Sequence, residues 1–403
     1  VSIVRTGGDV LHYLYNQTES MFNGMRARIK SMGENMNLLM EAYVIVAVLG
    51  GLSIYMMFII SFIIPTSGIA FTPDNFFLFS FVVLPFLSVV FIFTGDILQI
   101  NYPISQTKVY ATFLLTLPFS IFLVSQTVLP YFFTGVPVIP HVADTIHKLK
   151  VILNFDDGTE PALGMALSFI VLLIPGMTVN HIYLKNERGV FEGLTSFIRD
   201  LVENRKTGLS PEKCIKLLSK RDYGKFSKHL TLINSKLNWG FSLHQIFDDV
   251  KGRIKSWLSQ IIIYLLVDTI EVGGGTEKSL ETLATFAESI NQMEKERRGY
   301  LTPLILVSYM GSLLLTITTI IFLKFFGSGS PGGFFTIPYV TLSRILLAPL
   351  IFHSFMTGLV TGKIVSGRVS AGFLHAFLLV LFSILGIWIA SHYSLLIFNP
   401  VVA

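Results

Sequence analysis

Seven residues, Gly273-Gly274-Gly275-Thr276-Glu277-Lys278-Ser279, come nearest to a phosphate-binding loop, because glycines and a Lys-Ser pair adjoin an expected helix start. The fit fails. Such a loop needs glycine directly before the lysine, so that backbone N–H groups wrap the anion, and a strand ahead of it; Glu277 holds that place and repels phosphate. A flexible hinge is the expected role of these glycines. Gly95-Asp96 sets a carboxylate at the end of an apolar run, but aspartyl hydrolysis needs two carboxylates sharing one proton, and no second intramembrane Asp is available. Asp96 is expected as an interfacial cap or as the partner of a basic group. No nucleophile elbow and no H-E-x-x-H spacing occurs. Cys214 is the one cysteine, which excludes an intramolecular disulfide and a multi-cysteine zinc site; a small buried hydrophobe is its expected role. No catalytic residue, metal ligand or cofactor is therefore expected, and the chain reads as not an enzyme.

The remaining polar groups of interest sit within hydrophobic runs, where a charge at a helix centre costs roughly 2.5 to 3.5 kcal/mol on insertion scales. They are Glu41, Arg344, His353 and His375. Glu41 falls at the edge of its run and is expected in the interface. Arg344 lies about two turns from the end of its run, so its long side chain is expected to snorkel to the headgroups. Pro85, Pro118, Pro175 and Pro349 each remove a helical hydrogen bond within a run, so kinked, packed helices are expected.

What holds these residues is a membrane. The chain has 403 residues, 35 of them Phe, with 52% hydrophobic and only 14% charged residues and a mean hydropathy of +0.65, far from a soluble globular composition. Crossing hydrocarbon takes roughly 20 apolar residues. Seven runs qualify, at 40–64, 76–94, 110–133, 163–184, 301–326, 337–361 and 371–391. The run from Trp257 to Val267 is about half that length and reads as a core helix of a soluble domain. The expected fold class is all-α: a polytopic helical membrane protein with a helical-bundle cytoplasmic domain.

Positive loops stay cytoplasmic, and that rule orients the chain. With residues 1–39 inside, four crossings return the chain inside at Lys185, where a charged block begins. This topology puts 26 of the 30 Lys and Arg inside: four before the first span, Lys108, nineteen in the block, and Lys363 with Arg368. The outside loop at 135–161 is acidic, with Asp144, Asp156, Asp157 and Glu160 against Lys148 and Lys150. The expected division is a first cytoplasmic module ending in 1–39, four spans over 40–184, a second cytoplasmic domain at 185–300, and three spans over 301–403. The expected location is the cytoplasmic (inner) membrane, with no signal peptide opening the chain.

The chain also reads as internally duplicated. Gly7-Gly8 precede a helix whose apolar side chains, Leu11, Leu14, Met21, Met25, Met32 and Met36, step by three, four or seven into the first span. Gly273–Gly275 precede a second such helix, with Leu280, Leu283, Ala287, Ile290 and Met293 as its stripe, and again a span follows. The second copy has a soluble block ahead of its glycines, so an earlier cytoplasmic domain is expected to be missing from the first. Within the block, Gly208-Leu209-Ser210 and Gly240-Phe241-Ser242 each start a helix: Ser210 is followed by Pro211, and Ser242 has Gln245 three residues on.

These features together resemble the type II secretion system F-domain family, the inner-membrane platform proteins of type IV pili, type II secretion systems and archaella. They are the helical block with its two G-x-S helix starts, the glycine triplet, the long helix entering a span, and the partial duplicate from Gly7. The stretch from Gly358 to His375, with Gly362, Gly367 and Gly372, is similar to the archaeal branch that includes the archaellum platform protein. Those three glycines are expected to permit a tight turn, held inside by Lys363 and Arg368. The resemblance implies a non-enzymatic platform that docks a separate hexameric secretion ATPase and couples its motion to insertion of pilin-like subunits into a filament, with no cofactor and a homodimer left open. On that view the cations Arg205, Lys206, Lys220, Arg221, Lys225 and Lys228 are expected to contact the ATPase, with Arg26, Arg28 and Lys30 as a weaker set; charge alone selects them.

Two other readings of the block's 19 Lys and Arg against 15 Asp and Glu are a solvated or lipid-facing surface and nucleic-acid binding. The second is disfavoured, because no aromatic-interleaved patch or binding motif accompanies the charge. The alternative function is a membrane transporter with a regulatory cytoplasmic domain. Few charges lie in the spans, which argues against it.

Overall fold

A computed structural model describes residues 10–63, 72–99, 106–133, 135–272, 274–327 and 339–398. Among the described residues every regular element is a helix and no strand occurs. In chain order they are α1 (Val10–Val44), a π-helical turn (Ile45–Leu49), α2 (Gly50–Ile63), α3 (Pro73–Leu78), a second π-helical turn (Phe79–Val83), α4 (Leu84–Leu98), α5 (Thr107–Thr127), α6 (Pro140–Ile152) and α7 (Glu160–Arg205). There follow α8 (Pro211–Leu218), α9 (Ser227–Asn238), α10 (Leu243–Lys251), α11 (Trp257–Glu271), α12 (Glu277–Leu301), α13 (Leu304–Gly327), α14 (Tyr339–Ser366) and α15 (Gly372–Phe398).

Seven helical stretches among the described residues are long and apolar enough to cross a membrane, each containing most of one hydrophobic run. The polytopic all-α expectation therefore holds. The described residues divide into two compact units, one built from α8–α11 with parts of α1, α7 and α12, the other from the remaining helices.

The membrane unit carries its irregularities where the sequence dictates. The second π turn ends just before Pro85, whose ring would clash with the carbonyl four residues back in a regular helix; widening the turn relieves that. Pro118 and Pro175 stay inside α5 and α7. Between these two helices Thr116 Oγ1 donates to Leu172 O at 3.2 Å and Ser120 Oγ to Ser168 O at 3.0 Å. A serine and threonine seam continues among the last three helices, where Ser354 Oγ lies 3.2 Å from Ser312 Oγ and 2.6 Å from Ser383 Oγ. In lipid, small polar residues of this kind let helices approach and satisfy one another.

The stretch from Gly358 to Gly372 departs from expectation. Gly367 alone makes the turn, at φ +74°. Gly362 remains in α14, and a Cβ there would lie 2.0 Å from the backbone of Gly372; at Gly358 it would lie 2.1 Å from Ala376 Cα. Gly358, Gly362 and Gly372 thus serve a helix crossing in which backbone meets backbone.

The soluble unit buries one apolar core. Leu194, Phe197, Ile198 and Leu201 of α7 meet Cys214 and Leu218 of α8, Phe226 and Leu230 around the start of α9, Ile246 and Val250 of α10, and Ile262 and Leu266 of α11. α11, whose apolar run is short, is thus a core helix of this unit. Leu280, Ala287, Ile290 and Met293 close the core from α12. On α1 the expected stripe holds in part: Met32 and Met36 are buried, Met21 and Met25 are exposed, and Phe22 and Ile29 face the core, while the side chains of Leu11 and Leu14 lie outside those described.

Local chemistry explains the two short repeats. Gly208 and Gly240 end their preceding helices at φ +84° and +83°, the left-handed conformation only glycine adopts freely. Ser210 then accepts the Lys213 N–H at 3.4 Å, and Ser242 forms a full capping box with Gln245. Ser242→Ala is expected to cost ~1 kcal/mol locally and to speed hydrogen exchange across 243–251 roughly fivefold; an unchanged rate would mean that the cap contributes nothing. Gly7, Gly8 and Gly273 lie outside the described residues.

Candidate docking surface and charged centres

The cations of the soluble unit divide by what they touch. Arg205 turns inward along the loops: its Nε donates to Gly275 O at 2.9 Å and its Nη1 to Leu209 O at 2.6 Å. It joins the 206–210 loop to the glycine segment, where Gly274 and Gly275 have φ +63° and +58° and a Cβ on Gly275 would meet Pro211 Cγ at 2.6 Å. That segment is therefore fastened at both sides. Lys206 pairs with Glu203 at 3.0 Å, and Arg221 with Asp200 at 2.9 Å. Asp200 also accepts from Tyr223 Oη at 2.8 Å; burial, and then this carboxylate, push the Tyr223 hydroxyl pKa up.

Lys220, Lys225 and Lys228 differ from these three. All are exposed, and none has an ion pair among the described residues. The segment bearing them wraps α7 closely: a Cβ on Gly193 would meet Tyr223 O at 2.1 Å, and one on Gly189 would meet Lys225 Cγ at 2.7 Å. Arg253, which charge density alone did not place here, joins them. Burial, then the charges of Lys228 and Arg253, hold the His229 imidazole below its ordinary value. Arg26, Arg28 and Lys30 are exposed on α1, on either side of buried Ile29.

The opposite end of the same bundle is apolar. Trp239 (83% exposed), Phe241, Leu209 and Val272 (80% exposed) lie in the three loops that follow α7, α9 and α11. The Arg205–Gly275 bond joins two of these loops, and the His244 N–H, donating to Glu271 Oε1 at 3.1 Å, joins the third. Sequence reasoning missed this cluster, because its members are scattered and each is a lone apolar residue beside a turn.

In the membrane unit, several charges are paired. Lys363, buried near the end of α14, pairs with Asp96 and also donates to Gly367 O at 3.0 Å. Asp96 is thus the partner of a basic group, one of its two expected roles. Lys324 pairs with Asp156. Lys150, with its side chain 7% exposed, pairs with Asp157 and reaches Glu160 Oε1 at 3.1 Å. Glu41 is exposed and accepts from Asn37 Nδ2 at 2.6 Å. His353 is buried 3.4 Å from Thr357 Oγ1, and His375 Nδ1 lies 3.1 Å from Tyr309 Oη. The Arg344 guanidinium lies 5.2 Å from the centre of the Tyr131 ring, and its Nε sits 3.9 Å from Glu160 Oε2. No group of three or more His, Cys, Asp or Glu that could hold a metal ion occurs among the described residues.

Residues 197–323 match the family described as type II secretion system (T2SS), protein F. That region takes in the end of α7, all of α8–α12 and most of α13. An uncharacterized protein of Methanocaldococcus jannaschii is 19% identical over 232 residues, covering 58% of this chain and 38% of that relative. The chain thus spans well under half the length of that relative. No solved structure matches.

Proposed function

We propose, for a multi-pass membrane chain that carries a type II secretion system protein F domain over residues 197–323, the role of a non-enzymatic assembly platform in the cytoplasmic membrane. In this reading its soluble unit is cytoplasmic and docks a hexameric secretion ATPase. The ATPase supplies the energy, and the platform passes its motion to pilin-like subunits entering a type IV pilus-like, archaellum or type II secretion filament.

The observation that carries this reading is the division of labour among the soluble unit's cations. Arg205, Lys206 and Arg221 are engaged within the unit, whereas Lys220, Lys225 and Lys228 stand exposed without an ion pair among the described residues. Exposed, unpaired cations cost the fold little to keep and supply long-range attraction for an acidic partner. The triple reversal Lys220→Glu, Lys225→Glu and Lys228→Glu is expected to weaken affinity for the purified ATPase at least tenfold, with the weakening reduced at high salt. Reversal of Arg26, Arg28 and Lys30 is expected to have a smaller effect. Unchanged affinity in the folded triple variant would remove this face as the docking site.

A further inference from the structure

A cavity lies within the membrane unit. It encloses about 540 Å³ and is lined by Tyr131 and Gln126 at the end of one span, by α6, by the 157–160 turn, and by Val340 and Arg344 of α14. Tyr131 closes a span and Glu160 opens the next, so the cavity sits where hydrocarbon gives way to headgroups. At ~30 Å³ per water it is far larger than a single small ion needs, and it falls in the range of about 300–1,000 Å³ that holds a small organic group.

Its charges are unequally satisfied. Lys150 is shared by Asp157 and Glu160, and Glu160 Oε2 already accepts the Gly158 N–H at 3.0 Å. The Lys150 ammonium, bonded to Asp157, holds that carboxyl below the usual carboxylate range, and its 76% exposed side chain leaves the anion solvated. Arg344 is left over. Its Nε is buried and has no hydrogen-bond partner among the described residues, and the 3.9 Å to Glu160 exceeds hydrogen-bond reach. The guanidinium carbon lies 5.2 Å from the centre of the Tyr131 ring, within cation–π range. An arginine packed on an aromatic ring, with an unfilled donor and its side chain 40% exposed, is suited to a carboxylate or phosphate.

Charge balance narrows the choice. With the lining His147 counted as neutral, Lys150 and Arg344 offset Asp157 and Glu160, and Asp144 on the cavity wall adds one further negative charge. A simple anion would enter a site that is already net negative, whereas a zwitterion would leave the balance unchanged and meet both signs. The apolar part of the lining, Val138, Ile146 and Val340, suits the glycerol end of a lipid, which a bilayer supplies at this depth. We propose that this cavity binds the phosphate–ammonium headgroup of a zwitterionic bilayer lipid, with the phosphate on Arg344 and the ammonium against Asp144 and Asp157.

The test is native mass spectrometry of the full chain in detergent. It would be offered a phosphoethanolamine lipid, a phosphoglycerol lipid of the same acyl chains, or inorganic phosphate. The wild type is expected to retain the ethanolamine lipid at least tenfold better than the glycerol lipid. Arg344→Gln is expected to lose at least tenfold of that retention, and Asp144→Asn to erase the headgroup preference. Equal retention of both lipids, an unaltered Arg344→Gln, or displacement of the lipid by inorganic phosphate would each overturn the proposal. Should Arg344→Gln fail to fold, Asp144→Asn, on the exposed wall, decides alone: a preserved preference refutes the assignment. No ATPase or filament enters the readout, so this result is independent of the platform reading.

Discussion

Gly362→Val is expected to prevent the membrane unit from packing, so that the variant fails to give a monodisperse species in detergent. A Cβ at this position would fall 2.0 Å from the backbone N and Cα of Gly372, and 2.8 Å from the Ala371 carbonyl carbon. Overpacking normally costs ~1–3 kcal/mol because side chains can shift aside; here the obstacle is backbone, so the penalty lies at or above the top of that range. Relief is also scarce. Among the described spans α14 is the most enclosed, with 83% of its apolar window buried inside the protein, so little room is left for it to move aside. Gly50→Ala is the control, because nothing lies within 4 Å of a Cβ there. Size-exclusion profiles and thermal midpoints measured side by side would decide, and equal behaviour of the two variants would contradict the close crossing.

The second large effect is expected at Lys150. Lys150→Met keeps most of the side-chain volume but leaves Glu160, with its side chain only 11% exposed, as a buried carboxylate without its ammonium. Removing one member of a buried pair typically costs about 3–5 kcal/mol, since the remaining charge keeps its desolvation penalty. Asp157 adds little, because it can turn to water. The neutralising double variant Lys150→Met with Glu160→Gln is expected to recover part of the loss, and differential scanning fluorimetry in detergent would show it as a partly restored midpoint. Lys363→Met should be milder, because its partner Asp96 is 54% exposed. A Lys150→Met protein that melts with the wild type would mean that Glu160 is solvated or protonated.

The seven spans were legible in the sequence because a bilayer imposes a minimum length that no soluble helix needs to meet. α11 was legible for the converse reason: its apolar run is too short to cross, and Ser256 caps its start. Ser210 and Ser242 were legible because caps are settled within four residues. What escaped was whatever depends on a distant partner. Lys363 and Asp96 stand 267 positions apart, and Lys324 and Asp156 168 apart. Nothing local marks either pair. Gly358 and Gly362 have the spacing of a helix-packing motif, yet Gly362 reads as part of a turn with Gly367 and Gly372, because the sequence does not reveal that Gly372 and Ala376 lie across from α14. Charge density found the basic stretch of the soluble unit. It could not separate Arg205, spent on a carbonyl 70 positions away, from Lys225, which keeps its charge at the surface.

Cys214 has no exposed surface, and burial pushes its thiol pKa up, so it is a poor nucleophile toward maleimides and other alkylating probes. As it is the chain's single cysteine, the protein is in effect a thiol-silent background. Cysteines introduced at Trp239, Lys225 or Lys228 would be the reactive thiols, each ready to carry a fluorophore, spin label or cross-linker. The two ends of the soluble bundle can thereby be interrogated separately, during assembly, without first stripping the protein of native thiols.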